Sequence, residues 1–258
     1  MARILAITNQ KGGVGKTTTG VNLAASLASA KRRVLLIDLD PQANATMGSG
    51  VDKRTLADTV YQVLLAEATL AEVIVPSPSG GYHLAPANRE LAGAEVELVD
   101  QDRRETRLKR ALESCQGDYD FILIDCPPAL NLLTVNGLCA AHAVMIPMQC
   151  EYFALEGLSD LVQTVKRVRA HLNPTLEIEG LLRTMYDPRN TLAQQVSEQL
   201  QRHFGDKVYR TVIPRNVRLA EAPSFGTPVM YHDKASKGAQ AYLALAGEML
   251  RRQPAVAP

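Results

Sequence analysis

Residues 10–18, QKGGVGKTT, follow the apolar run Ile4-Leu5-Ala6-Ile7 and precede a stretch rich in Ala and Leu. Strand, glycine loop and helix in that order make the setting of a phosphate-binding loop, and they commit the chain to an α/β fold. Gly12, Gly13 and Gly15 let backbone N–H groups close around phosphate oxygens, because no Cβ restricts their dihedrals. Lys16 is placed to meet the terminal phosphates and the Thr17 hydroxyl to ligate Mg²⁺, with Val14 and Thr18 completing the loop's contact run. The helix that starts at Lys16 aims its free N–H groups and positive dipole end at the same anion. The usual pattern has glycine six residues before this lysine, but Gln10 stands there, and Lys11 adds a second cation. A single loop has no obvious room for two lysines on one set of phosphates.

The rest of the chain repeats the alternation. Apolar runs at 4–7, 34–37, 121–124, 144–146, 178–182 and 208–213 are separated by stretches of helical composition. They predict a single-domain P-loop NTPase fold, a mostly parallel twisted sheet with helices on both faces. Helices are expected over 17–30, 89–115 as one long element, 155–172, 192–204 and 237–252. Residues 66–81 read as a surface excursion. One domain spans 1–252, and 253–258 reads as a flexible C-terminal tail.

Composition narrows the function classes. The 258 residues carry a net charge of +1, so any nucleic-acid face must be a local patch rather than a property of the whole monomer. Cys115, Cys126, Cys139 and Cys150 show no CxxC spacing, which points to reduced, buried thiols in a cytoplasmic protein. No apolar run approaches the ~18 residues needed to span a bilayer.

Three aspartates then fall where chemistry needs them. The run 34–37 ends in Asp38-Leu39-Asp40-Pro41, and alternation puts Asp38 and Asp40 on one side of the chain where strand ends open to a ligand. The run 121–124 ends in Asp125, the arrangement in which a strand-tip aspartate holds a Mg²⁺ shell. Hydrolysis of a γ-phosphate is mainly positioning and charge stabilisation. Asp40 is therefore assigned to orient the attacking water. Lys11 suits transition-state stabilisation only if it arrives from a neighbouring subunit.

Taken together, KGGVGKTTT, LLIDLDPQANAT and FILIDCPP resemble the deviant Walker A, switch I and Walker B elements of the ParA/Soj family of partitioning ATPases, within the wider ParA/MinD group. The resemblance extends to residues 213–224, IPRNVRLAEAPS, which look like the chromosomal branch. It implies that ATP and Mg²⁺ drive two subunits into a nucleotide sandwich, with Lys11 reaching the partner's phosphates and Gly12 at the dimer seam. It also implies catalytic roles for Lys11, Lys16 and Asp40, metal contacts at Thr17, Asp38 and Asp125, and an adenine site near Pro214 and Asn216. Arg189 and Arg218 match the family's positions for nonspecific binding of double-stranded DNA. The implied partner is a ParB-type centromere-binding protein, and the implied location the nucleoid. Lys166, Arg167 and Arg169 read as an ordinary helix surface, with Lys234 and Lys237 as auxiliary contacts.

The alternative from the same superfamily is a MinD-like membrane switch, which needs a C-terminal amphipathic helix. The proline-broken end of this chain argues against it, and no membrane partner is expected. Iron–sulfur carriers and tyrosine kinases of the superfamily fit less well, because the setting of Cys126 and Cys139 departs from the former and a terminal tyrosine cluster is lacking for the latter.

Overall fold

The computed structural model describes residues 2–252. Within them one sheet runs through β1 (Arg3–Ile7), β2 (Val34–Asp38), β3 (Val75–Pro76), β4 (His83–Ala85), β5 (Phe121–Asp125), β6 (Ala143–Gln149), β7 (Glu177–Tyr186) and β8 (Val208–Pro214). The spatial order is β3-β4-β2-β5-β1-β6-β7-β8, parallel throughout except for the β3–β4 pair.

Alternation within the strands decides the layering. In β1, Ile4 and Ala6 join one hydrophobic cluster while Leu5 and Ile7 join the other, and β5 divides Ile122 and Ile124 from Phe121 and Leu123 in the same way. Apolar side chains at every position leave neither face free to meet water, so helices cover both. Lys16–Ser29 and Lys237–Arg252 cover one face; Leu132–Ala140, Ala154–His171 and Thr191–Phe204 lie on the other. All six predicted strands are present, with β6 and β7 longer than expected. β6 tolerates Pro147 because its pairing to β1 ends at Met145, and the Asn9 side chain donates to the Pro147 carbonyl at 2.8 Å beyond that point.

The long helix expected over 89–115 is two short helices, Leu91–Glu97 and Arg107–Leu112, with a 3₁₀ turn at Arg104–Thr106 between them. Arg103 adopts a left-handed φ of 53°, and the buried Asn136 side chain fixes the break. Its Nδ2 donates to the Arg104 carbonyl at 2.8 Å, and its Oδ1 accepts from the Leu108 amide at 3.2 Å. Tertiary hydrogen bonding thus overrides local helical propensity. The surface excursion at 66–81 also carries structure: the helix Leu70–Val73 and the edge strand β3. The tail assigned to 253–258 lies outside the described residues.

Both edges of the sheet are closed to further pairing. β3 has two residues, one of them Pro76. At β8 the buried Glu248 carboxylate accepts from the Arg210 and Thr211 amides, both at 2.8 Å, and is held by Arg252 at 2.7 Å.

Candidate functional site

The parallel register brings the expected residues together at the C-terminal ends of the central strands. Ile7 pairs with Asp125, and Asp125 with Asp38, so the loop after β1 emerges beside both aspartates. Gly13 and Gly15 have φ of 74° and 87°, a left-handed conformation that side chains resist, and Gly15 caps the first helix. Gly12 differs. Its φ is not in that region, and a Cβ there would meet nothing within 4 Å. The isolated subunit therefore does not require glycine at position 12.

The two lysines part company. Lys16 is buried, and its ammonium donates back to the Lys11 carbonyl at 3.1 Å, curled across the loop. Burial lowers its pKa, opposed by the charges of Asp125 and Asp40. Lys11 is exposed and turns away from the loop to pair with Glu151 at 2.5 Å. Its amide is fixed by Asn9 Oδ1 at 3.0 Å. Thr184, at the end of β7, steadies the loop by donating its hydroxyl to the Val14 carbonyl at 2.8 Å.

Asp125 is fully buried, and no hydrogen bond of ordinary geometry reaches either carboxylate oxygen. Its carboxyl is held well above the ordinary carboxylate range by burial and then by the neighbouring Asp38 charge; the Thr17 hydroxyl and Lys16 work the other way. A buried polar group left unsatisfied costs about 1–3 kcal/mol, and more when charged. Among the described residues no cluster of three His, Cys, Asp or Glu side chains could enclose a metal alone. The unpartnered Asp125 carboxylate fits Mg²⁺, which takes one or two protein oxygens and completes its octahedron with water and phosphate.

Asp38 is equally buried but committed elsewhere. It accepts from the Thr46 amide and hydroxyl, both at 2.8 Å, and from the Asp40 amide at 3.1 Å. Burial pushes its carboxyl up to about 6 against those hydrogen bonds. Thr46 also accepts from the Ala87 amide at 2.9 Å, tying the segment after β2 to the loop after β4. Asp40 is only half-buried; its Oδ1 accepts from the Gln42 amide at 2.9 Å, closing a turn that ends at Ala43 with a left-handed φ of 54°. A non-glycine residue in that region costs about 1–2 kcal/mol.

Beside the loop lies a cavity of about 180 Å³, bordered by Gly15, Thr18, Met185, Pro214 and Asn216. A larger groove of about 780 Å³ runs past Gly205, Val208 and Arg251 and does not border the loop. Of the two, the smaller one adjoins the glycine loop.

Comparison with known proteins decides the family. A family model described as an AAA domain matches residues 2–178. The sporulation initiation inhibitor protein Soj of Bacillus subtilis is 55% identical over 249 residues, covering 96% of this chain and 98% of its own. The chromosome partitioning protein ParA of Caulobacter vibrioides is 53% identical over 253 residues, covering 97% and 95%. The chain belongs to the ParA/Soj family of chromosome-partitioning ATPases. Like the family, it is an ATPase whose cofactors are ATP and Mg²⁺. Among solved structures, a Mycobacterium smegmatis protein described as cobyrinic acid a,c-diamide synthase, with ADP and magnesium bound, is 40% identical over the whole of both chains, with a TM-score of 0.86.

Seen as a ParA/Soj protein, the site has four contributors that sequence reading passed over. Thr46 and Thr184 are ordinary threonines until tertiary contacts place them, and Met185 borders the cavity beside the glycine loop with a left-handed φ of 48°. Glu151 has no motif around it, yet it holds the second lysine. Burial raises the thiols of Cys139 and Cys150 to about 11, and all four cysteines are buried and free. The two arginines assigned to DNA sit beyond the C-terminal ends of the adjacent strands β7 and β8, where Tyr186 pairs with Pro214. Both are exposed and both are engaged: Arg189 with Asp187 at 2.8 Å, Arg218 with Glu221 at 2.7 Å and Asp233 at 3.3 Å. No helix among the described residues is long and apolar enough to cross a membrane.

Proposed function

We propose that this chain is a DNA-segregation switch timed by ATP: two subunits close around two nucleotides, bind DNA without sequence preference, and let go when a ParB-type partner stimulates hydrolysis. One observation carries the reading. The phosphate cradle already holds its own lysine, Lys16, while Lys11 stands outside it on the surface in an exposed pair with Glu151, from which it can reach a second subunit. In that arrangement Lys16, Thr17 and the backbone of residues 12–18 hold the phosphates. Asp125 and, through the Thr46 network, Asp38 arrange the metal end. Bound Mg²⁺ supplies neutralisation of phosphate charge. Asp40 orients water, and Pro214 and Asn216 border the base.

Arg189 and Arg218 supply the DNA contacts. Two copies of each give four cations, which reconciles a +1 monomer with a polyanion, since affinity follows local phosphate contacts and weakens as salt rises. Their present partners are no obstacle, because exposed ion pairs contribute about 0–1 kcal/mol each. Replacing either arginine by alanine is expected to leave nucleotide binding intact and weaken DNA binding. The slope of log affinity against log salt should fall by about two for the dimer, as two phosphate contacts are lost. A salt titration giving wild-type affinity and slope would remove that arginine from the interface.

Gly12→Val should fold, since a Cβ at that position meets open space, yet fail to close the dimer. Sedimentation with a nonhydrolysable ATP analogue checks it; a normal dimer would show that nothing approaches the loop there. The direct test of the whole reading is DNA binding with ADP, ATP and the analogue, run beside liposomes. DNA binding confined to the ATP and analogue states supports the switch, whereas lipid binding in those states would favour a MinD-like membrane role.

A further inference from the structure

Arg218 stands on a segment that is bonded to the glycine loop's own helix. The segment runs from Asn216 to Asp233 and comprises the helices Val217–Glu221 and Val229–His232, with the 3₁₀ turn Ala222–Phe225 between them. Arg218 itself closes the segment, through Glu221 and Asp233. The buried side chains of Leu219, Ala222 and Val229 join the same hydrophobic cluster as Val21 and Ala25 of the helix Lys16–Ser29.

Directional contacts then fix where the segment sits. The first amide of the helix Val229–His232 has no acceptor within its own helix, and Pro228 before it has no side chain that can cap it. Asn22 does so from another helix: its Oδ1 accepts from the Val229 amide at 2.7 Å, while its Nδ2 donates to the Thr18 carbonyl at 2.8 Å. Asn22 is buried and Thr18 borders the cavity beside the glycine loop, so one side chain joins that wall to the segment of Arg218. The second contact is backbone on backbone. Gly50 and Gly226 have left-handed φ of 84° and 60°, and a Cβ on Gly50 would stand 2.7 Å from the Gly226 carbonyl oxygen. Gly50 follows the helix Asn44–Gly48, whose Thr46 holds the Asp38 carboxylate. At the third, Asn216 borders the cavity and its side chain accepts from the Arg218 amide at 3.1 Å.

We propose that Asn22 and the Gly50–Gly226 contact are positioning elements for DNA binding: they seat the segment of Arg218 on the glycine loop's helix and on the segment after β2, and so set where the guanidinium meets a phosphate. The proposal rests on the DNA role of Arg218 given above and names what holds that arginine in place. Both polar ends of Asn22 are used, and losing the side chain leaves two backbone groups without their partner. Arg189 stands apart from this joint, its amide and its guanidinium both bonded to Asp187.

The test measures DNA affinity of the full chain across a salt series with a nonhydrolysable ATP analogue, for Asn22→Ala and Gly226→Ala, each alone and combined with Arg218→Ala or Arg189→Ala. Asn22→Ala removes both bonds. Gly226→Ala leaves them and forces the backbones apart, since a Cβ there would stand 3.0 Å from the Gly50 Cα. Both variants are expected to bind a fluorescent ATP analogue and to sediment with it as the unaltered chain does. Each should bind DNA about three- to thirtyfold more weakly, with a shallower dependence on salt. In the Arg218→Ala background neither should cause further loss, whereas with Arg189→Ala the losses should multiply. A further loss on top of Arg218→Ala would overturn the positioning role, and so would DNA affinity within about twofold of the unaltered chain in either variant. Loss of ATP-analogue binding in both would make these residues part of the loop's frame and likewise overturn it. In all those cases Arg218→Ala alone still weakens DNA binding; unaltered affinity in that variant would overturn the reading of Arg218 and this proposal with it.

Discussion

Lys16→Ala is expected to lower ATP affinity by about 10²–10⁴-fold, as two charge-assisted hydrogen bonds to phosphate, at about 1.5–3 kcal/mol each, are lost together. The buried position of Lys16 makes the loss specific. Its ammonium already sits against the loop, held by the Lys11 carbonyl, so ATP has only to exchange one oxygen for another. No other cation can take its place, since Lys11 is turned outward to Glu151. Titration with a fluorescent ATP analogue measures the effect; a dissociation constant within threefold of the unaltered chain would end the assignment. Folding should be little changed, because the loop's geometry rests on Gly13, Gly15 and the Thr184–Val14 bond rather than on the lysine.

Asp40→Ala should leave ATP binding and dimerisation in place and reduce turnover by about 10²–10⁴-fold, the range expected when a group that positions or accepts a proton from attacking water is removed. Alanine also deletes the acceptor of the Gln42 amide, which closes the turn before the strained Ala43. Asp40→Asn separates the two effects. Its carbonyl can still accept from Gln42, so the turn persists while the negative charge is lost. Both variants should be inactive by phosphate release with partner-stimulated rates included, and normal hydrolysis in either would refute the role. Activity in Asp40→Asn but not Asp40→Ala would make the turn, not the carboxylate charge, the essential element.

The sequence made the centre of this molecule legible because the centre obeys local rules. Apolar runs buried on both faces can only be parallel strands between helices, and glycines at 13 and 15 sit where backbone dihedrals demand them. Asp38 and Asp125 follow their strands without a gap, so strand register alone sets them side by side. What escaped was decided by contacts between distant segments. Asn136 breaks a helix that composition favours, Thr46 ties Asp38 to the distant loop at Ala87, and β4 gains its short strand by pairing with β2 and β3. Glu151 was hidden for the same reason: its significance lies in the residue it touches, 140 positions earlier. The fit of Asp125 to a cation was visible in outline from sequence, but its two unsatisfied oxygens could be counted only after folding.

The closed edges of the sheet bear on how copies of this chain can accumulate. With Pro76 at one side and Glu248 filling the amides of β8 at the other, no strand from another molecule can be added to the ladder. Growth by strand addition has no natural end, whereas closure across a two-fold axis stops at two. By closing off the first, the fold confines any self-association of this chain to surfaces outside the strand ladder, where closed pairs rather than open fibres are the natural outcome.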